Sequence, residues 1–428
     1  MDDLASSPPW TTYTASIYHE RKGIPALGTV VLEEVEAKAK EKLKDSPEAF
    51  MFAAGSAGMS STLQANLRAF ERYRIVPRML IDATVRTLET TLFGLKHPCP
   101  ILITPIGLQG IFSPDAELAP ARAGQKLGVP FIMSTASSRS IEDVAEANGS
   151  GHRWFQLYIC TTSAVTLSLL TRAKANGFTT LVLTVDTMRQ GWRPADIGSG
   201  YLPLGHAIQV GLSDPVFMAR QGREPILFPR PDFPFDSAGF NRLLDAGDPA
   251  ALDTARLGAA WAAECSSGHF YTWDDLPFIR SHWDGPIVLK GIQGVQDAEM
   301  CLRCSVDGIV VSTHGGRQID GTIGSLDALA RIMRSPVVRA AQAEGKFTVL
   351  FDSGIRTGPD IFKAIAIGAQ AVLVGRPWLY GSIVAGQEGV EQVLLSLLAD
   401  LDVTLGLSGF RSLDEIRGKA DEILVKVD

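Results

Sequence analysis

Residues 308–320 read GIVVSTHGGRQID, and the rest of the chain can be built outward from them. The run 308–312 is β-branched, short and opened by a glycine, which favours a buried strand over a helix. It ends on a hydroxyl, followed by a histidine, two glycines and an arginine. An imidazole titrates near neutrality and can carry a proton. The guanidinium three residues on can grip a carboxylate through two hydrogen bonds. Gly315 and Gly316 allow backbone angles that a side chain forbids. Taken alone, such a loop is more often a structural histidine in a glycine turn, so its surroundings decide.

Similar apolar runs recur at 101–104, 131–134, 154–157, 181–185, 287–290, 349–352 and 371–374. Amphipathic stretches, such as 115–127, 141–147, 163–176 and 359–367, separate most of them. Strands alternating with helices predict a parallel sheet, and eight is the count that closes a (β/α)₈ barrel. A doubly wound open sheet is the alternative. It would need a glycine fingerprint after an early strand, and Gly198-Ser-Gly200 stops short of G-x-G-x-x-G. No P-loop, H-E-x-x-H or G-x-S-x-G occurs either.

The expected organisation is an N-terminal arm over 1–45 and a barrel over 46–428. In the arm, 32–43 reads as an amphipathic helix, with Leu32, Val35, Ala39 and Leu43 on a face that packs on the main body. About a hundred residues separate the fourth strand, ending at Asp186, from the fifth at Ile287. Their Gly-, Pro- and aromatic-rich part is read as a lid over 193–272 at the top of the barrel.

A chain of 428 residues with 46% hydrophobic content, 20% charge and 41 glycines fits a soluble α/β enzyme. A net charge of -7, with the charges interspersed, gives no support to nucleic-acid binding. Every apolar run is cut by Pro, Gly or a charge, so no membrane association is expected. The Met1-Asp2-Asp3 opening lacks signal-peptide character and the VKVD ending carries no peroxisomal tripeptide, so a cytoplasmic location is expected. The five cysteines, Cys99, Cys160, Cys265, Cys301 and Cys304, read as reduced thiols with no metal role.

Active sites of such barrels gather at the C-terminal strand ends. Here those ends carry Thr104-Pro105, Ser134, Gln156 with Tyr158, Thr184 with Asp186, Lys290, Ser312 with His314, Asp352, and Gly375-Arg376. Buried polar groups cost free energy unless paired, so a convergent ring of them points to a bound polar ligand. Asp352-Ser-Gly354-Ile-Arg356 together with Gly375-Arg376 sets glycine amides and arginines where barrels hold phosphate. A flat ring among Ser134, Gln156, Thr184 and Lys290 with a phosphate tail suits FMN, and the lysine could stabilise a reduced flavin.

These residues carry a family likeness. The segments PRMLID (77–82), TPIG (104–107), STASSRSIE (134–142), FQLY (155–158), LTVDT (183–187), VLKG (288–291), STHGGRQ (312–318), FDSGIR (351–356) and VGRP (374–377) belong to it. Across them, from about Ser46 to Gly418, the chain resembles the FMN-dependent 2-hydroxy acid oxidases and dehydrogenases. GWRP (191–194), YLP (201–203) and SDPVF (213–217) most resemble lactate 2-monooxygenase and its fungal-type relatives. The resemblance implies His314 as catalytic base and Asp186 as the carboxylate that steadies it. It implies Arg317 and Arg193 as carboxylate anchors, with Tyr158 near the substrate oxygen. Ser134, Gln156, Thr184, Lys290 and Ser312 would contact the flavin ring, with backbone from Pro105, Ile106 and Gly107. Asp352, Gly354, Arg356, Gly375 and Arg376 would hold its ribityl and phosphate. A homotetramer or octamer is also implied.

Three positions depart from the family pattern. Phe52 stands where a tyrosine hydroxyl usually helps bind the substrate carboxylate. One lost hydrogen bond to a charged group costs about 1.5–3 kcal/mol, roughly one to two decades of affinity. Ala136 replaces a tryptophan found in glycolate oxidase, and Thr313 a common asparagine. Together they predict a substrate larger or less polar than lactate. The expected activity is oxidation of a 2-hydroxy acid at its α-carbon with dioxygen as acceptor, followed by oxidative decarboxylation if a lid retains the keto acid. Two rivals remain at this point: a catalytically impaired flavin barrel with an interaction role, favoured by Phe52, and a phosphate-substrate barrel without flavin.

Overall fold

Eight apolar segments pair in parallel, in chain order, and the last closes on the first. They are β1 (Ile101–Ile103), β2 (Phe131–Met133), β3 (Arg153–Leu157), β4 (Thr180–Thr184), β5 (Ile287–Ile292), β6 (Gly308–Val311), β7 (Thr348–Phe351) and β8 (Ala371–Val374). This computed structural model describes residues 10–427 except Lys22, His206 and Ile208. The first nine residues of the expected arm, and Asp428 of the VKVD ending, lie outside that range.

The strands are buried on both faces, which is why they read as continuous apolar runs rather than as alternations. The two faces nevertheless differ. Leu102, Ile132, Trp154, Val182, Val288, Val310, Leu350 and Leu373 pack together inside the barrel. Their strand neighbours, such as Ile101, Ile103, Phe131 and Met133, join a second core beneath the helices. An antiparallel hairpin, Thr90–Leu92 with Leu95–His97, closes the lower end. Its Leu92 and Phe93 pack on the inner layer, the Phe93 ring 5.7 Å from that of Trp154.

Strand side chains repeat direction every second residue. Two positions beyond the inner layer stand Thr104, Ser134, Gln156, Thr184, Lys290, Ser312, Asp352 and Gly375. The polar strand ends are therefore one layer of the barrel interior, stacked directly on the apolar one.

The helices follow the expected order, with ends within a few residues: Leu118–Leu127, Ile141–Asn148, Ser163–Ala175 and Gly358–Ile367. The arm helix is Leu32–Lys42, and Val35, Ala39 and Leu43 are buried. Glu36 on it accepts a hydrogen bond from Tyr380 of the long helix Arg376–Leu407 at 3.0 Å. Two nearby helices were not expected, Thr12–Glu20 and Pro47–Ala54. The 193–272 segment is mostly helical, with Pro194–Ser199, Pro215–Arg220, Ser237–Asp245 and Pro249–Cys265. Its prolines and aspartates are helix starts in large part. Asp214 and Asp248 cap the backbone just ahead of Pro215 and Pro249, where a missing N–H costs nothing. No helix among the described residues is long and apolar enough to cross a membrane.

His97 on the lower hairpin is 2% exposed, with no hydrogen-bond partner on Nδ1 among the described residues. Its ring lies 4.8 Å from that of His152. Burial, and secondarily His152, pushes its pKa from 6.5 down to about 4. The unfolded chain therefore binds this proton more readily than the folded one. The associated stability is complete above about pH 6.5 and is lost as pH falls toward about 4. It amounts to roughly 3 kcal/mol at the acid end. In urea unfolding, wild type is expected to lose stability across that interval, whereas His97→Gln keeps a flatter profile.

Candidate active site

The loop after β6 runs through three successive residues with positive φ: His314 at 56°, Gly315 at 65° and Gly316 at 74°. A side chain in this region is uncommon and costs about 1 kcal/mol or more. Neither glycine could carry a Cβ. At Gly315 it would lie 2.9 Å from Arg376 Nη1, and at Gly316 2.7 Å from the Leu63 amide nitrogen. The turn holds His314 at the rim, where Nδ1 lies 2.8 Å from Asp186 Oδ1 and 3.1 Å from Thr187 Oγ1. Thr187 donates its hydroxyl to the same carboxylate oxygen at 2.6 Å. An ionised carboxylate only accepts, so Nδ1 carries the hydrogen and Nε2 is left as the ring's acceptor.

The charges around this pair set its protonation. Burial would raise the Asp186 carboxyl, but His314 and Lys290 hold it well below the usual carboxylate range. Burial pushes His314 below an ordinary histidine and Lys290 adds to that, while Asp186 works in the opposite direction. The imidazole is thus neutral at pH 7 and free to accept a proton.

Lys290, 4% exposed, donates to Ser312 Oγ at 3.0 Å and lies 3.2 Å from Asp352 Oδ2. Burial would lower its pKa, but Asp352 and Asp186 outweigh that and keep the ammonium charged. Ser353 joins the neighbouring loops. It donates to Asp352 Oδ1 at 2.7 Å and accepts from the Gly315 amide at 3.0 Å. On the opposite side, Ser134 and the Thr135 amide both donate to Gln156 Oε1 at 3.1 Å. This fixes the amide plane and leaves Gln156 Nε2 buried without a partner among the described residues. Glu117, fully buried, accepts from the amides of Gln109 and Ser138 and ties the loop after β1 to the loop after β2.

One cavity spans these groups. Pro105, Ile106, Gly107, Ser134, Ala136, Tyr158, Lys290, His314, Asp352, Gly354, Arg356, Gly375 and Arg376 line it, with Phe52, Arg193 and Arg317. Gln156, Thr184 and Ser312 are not among its lining residues. Thr313 does not line it either, since its hydroxyl accepts from Asn66 Nδ2 at 2.8 Å on the far side. Of the three departures read from the sequence, only Phe52 and Ala136 therefore bear on the cavity.

Three arginines converge near Phe52. Arg317 Nη1 donates to the carbonyls of Ala53 and Gly55 at 3.3 and 2.9 Å. Arg376 donates to the same two carbonyls at 3.2 and 2.8 Å and to that of Gly315 at 3.0 Å. One N–H remains on each of its terminal nitrogens. Arg193 donates to the Arg317 carbonyl at 3.0 Å and to Gln318 Oε1 at 2.9 Å. Burial, then Arg193 and Arg376, depresses the Arg317 pKa well below the usual value. Among the described residues the one ion pair made by any of the three is Arg193 with Asp196, at 4.0 Å. The cluster is short of negative charge. Phe52 meets it with a ring face, 5.4 Å below the Arg317 guanidinium carbon, and packs edge-on against Tyr201 at 6.2 Å.

The far wall was not foreseen. Phe112, Leu204, Gln209, Trp261, Ala262, Cys265 and Ser266 line it, and most belong to the 193–272 segment. Trp261 is seated by the absence of a side chain at Gly211, where a Cβ would lie 2.2 Å from its indole. Nothing local in the sequence marks these residues, because their place depends on how the insertion folds back.

The donor set suits a flavin mononucleotide. The buried Lys290 ammonium lines the cavity, and the orphaned Gln156 N–H belongs to an amide hydrogen-bonded to Ser134, which lines it too. At one end, Gly354, with a φ of 100° and no room for a Cβ against the Asn66 carbonyl oxygen at 2.7 Å, lines the cavity together with Arg356, a cation that suits an anionic tail.

Residues 39–422 match the FMN-dependent dehydrogenase family. The chain is 42% identical over 405 residues to the FMN-dependent alpha-hydroxy acid dehydrogenase qulF of Penicillium citrinum, covering 94% of this chain and 93% of that one. It is 37% identical to an L-lactate oxidase of Lysinibacillus sphaericus, covering 91% of each. A solved mandelate oxidase with benzoyl-formic acid is similar at 35% identity and a TM-score of 0.72, over 91% of this chain and 97% of that one.

Asp186 supports the basicity of His314 through charge and a hydrogen bond. Asp186→Asn is therefore expected to lower the His314 pKa further, read as an acid shift of the imidazole resonance in an NMR titration. An unchanged titration would contradict the geometry.

Proposed function

The chain belongs to the FMN-dependent dehydrogenase family and is an FMN-dependent 2-hydroxy acid oxidoreductase; from that premise we propose dioxygen as its electron acceptor and a 2-hydroxy acid larger or less polar than lactate as its substrate. In this reading FMN is held by Ser134, Gln156, Thr184, Lys290, Ser312 and the Pro105–Gly107 backbone at its ring, and by Asp352, Gly354, Arg356, Gly375 and Arg376 at its ribityl phosphate. Bound there, it supplies the acceptor for the two electrons that leave the α-carbon.

The residues of this chain do the rest. Arg317 and Arg193 bind the substrate carboxylate, which provides the negative charge their cluster lacks. Tyr158 offers its hydroxyl to the substrate oxygen, and burial, followed by the nearby Asp186, keeps that phenol protonated. His314 takes the proton at Nε2, and Asp186, 2.8 Å from Nδ1, offsets the charge that then appears on the ring. The observation that carries the proposal is this oriented, neutral imidazole beside an arginine cluster in need of an anion.

The cavity's far wall supports the substrate size. Phe52, Phe112, Leu204, Trp261 and Ala262 surround space that the small Ala136 leaves open. A phenyl or branched side chain would bury apolar area there that a methyl group cannot, at about 25 cal/mol per Å². The relatives named as lactate oxidase and 4-hydroxymandelate oxidase support dioxygen as acceptor. Keto acid held under the 193–272 segment while peroxide forms would be decarboxylated, and prompt release would yield peroxide and keto acid. A cytoplasmic homotetramer or octamer completes the proposal.

Anaerobic substrate is expected to bleach the visible flavin absorbance of the purified holoenzyme. His314→Ala should slow that bleaching by roughly 10²–10⁴-fold with FMN content unchanged. In a series of 2-hydroxy acids of graded size, kcat/KM should rise from lactate to branched and aryl members. A maximum at lactate would sink the pocket argument.

A further inference from the structure

Cys160 and Cys265 are 105 residues apart in sequence, yet their sulfurs lie 3.7 Å from each other. Cys160 follows β3 on the barrel rim, two residues beyond Tyr158. Cys265 ends the helix Pro249–Cys265, the same helix that supplies Trp261 and Ala262 to the cavity wall. The two backbones are already fastened side by side. The Thr161 amide donates to the Glu264 carbonyl at 3.0 Å, so one step outward in an antiparallel sense brings 160 opposite 265. The Glu264 carboxylate reinforces the seam, accepting from Thr161 Oγ1 at 2.9 Å and from the Thr162 amide at 3.0 Å.

The pair also separates two spaces. Cys265 lines the active cavity, while Cys160 lines a second cavity of about 240 Å³ with His269, Tyr271 and Asp275. A small oxidant formed in the first or entering through the second reaches a sulfur. The other three cysteines line neither cavity.

We propose that Cys160 and Cys265 are a redox modification site, at which hydrogen peroxide joins the two sulfurs and pins the active-site end of the Pro249–Cys265 helix to the barrel rim. The Cys265 sulfur attacks peroxide, the O–O bond breaks, a sulfenic acid forms and water leaves. The Cys160 sulfur then attacks Cys265, the S–S bond forms and the sulfenic oxygen leaves as a second water. Two thiols lose two electrons and two protons, and one peroxide becomes two waters. The sulfurs must close from 3.7 Å to a bond of about 2.0 Å, a movement within side-chain rotation when the backbones are already adjacent. Burial, and then the neighbouring sulfur, keeps the Cys265 thiol protonated. Bond formation is accordingly slow and records sustained exposure rather than single turnovers.

The supply of peroxide by turnover rests on the proposed dioxygen acceptor, whereas the site itself does not. Reduced holoenzyme is treated with hydrogen peroxide under nitrogen, alkylated, and mapped as unreduced peptides. The expected result is a peptide joining Cys160 to Cys265, lighter by two hydrogens and cleaved by dithiothreitol, with Cys99, Cys301 and Cys304 alkylated. Turnover rate should fall with the linkage and return on reduction in wild type, and Cys160→Ser should show neither change. No linked peptide, a Cys301–Cys304 link instead, or Cys265 overoxidised without a partner would overturn the proposal. In a parallel arm, substrate and air replace added peroxide, with and without catalase. Linkage by added peroxide but none by turnover would leave the site standing, and dioxygen uptake recorded in the same arm decides the acceptor: no uptake refutes dioxygen, whereas uptake without linkage means that the peroxide is spent on the keto acid.

Discussion

A strand side chain that points into a barrel is followed, two residues later, by another that points the same way. That constraint organises this molecule. Leu102, Ile132, Trp154, Val182, Val288, Val310 and Leu350 fill the interior, so Thr104, Ser134, Gln156, Thr184, Lys290, Ser312 and Asp352 have to crown it. The polar ring cannot drift toward the middle without a one-residue slip that would invert every side chain on the strand. The hairpin bearing Leu92 and Phe93 closes the lower end, and the barrel interior meets a ligand-sized cavity at the upper end.

Crowning an apolar layer with charge has a cost, and the pattern of hydrogen bonds reflects how it is met. Lys290 is held between Asp352 and Asp186, and Asp186 in turn faces His314. Each carboxylate serves a cation, and no buried charge in this chain of contacts stands alone. The arginine cluster differs. Arg193 holds the backbone of Arg317, Arg317 and Arg376 hold that of Ala53 and Gly55, and their mutual repulsion is relieved only in small part by Asp196. In the proposed reading, a substrate carboxylate would complete in the arginine cluster what Asp186 and Asp352 complete at Lys290. The left-handed turn at His314 belongs to the same economy, because it puts the imidazole between the two regions.

The fold and the inner ring were legible because both follow from period and position within eight short runs. The polar strand ends are the residues that the two-residue repeat delivers to the rim. The charge-bearing loop 312–318 was legible because its glycines are needed, and the Cβ collisions at Gly315 and Gly316 say why. What escaped lay in long-range packing. Thr313 turns toward Asn66 rather than the cavity, a choice made by a helix some 250 residues earlier. Glu117 reads as an ordinary surface acid and is fully buried between two loops. The 193–272 segment looked like a loop because Asp-Pro pairs, which begin its helices, are also what loops are made of.

That last ambiguity has a functional side. The groups proposed to react stand on strands and on a turn whose geometry the barrel dictates, whereas most of the far wall stands on the segment inserted between β4 and β5. Trp261 packs against Gly211 and Phe217, both within the insertion. Changes in the insertion beyond Arg193 can therefore alter which side chain fits without moving the imidazole or the ammonium. Phe52 is the exception. It touches both regions, covering Arg317 with its ring face and packing against Tyr201 of the insertion. If the arginines hold a substrate carboxylate as proposed, a ring hydrogen in place of a hydroxyl at that point would withhold one donor from it and add apolar surface to the pocket beyond. Both effects would favour substrates whose binding depends more on buried area and less on polar contacts.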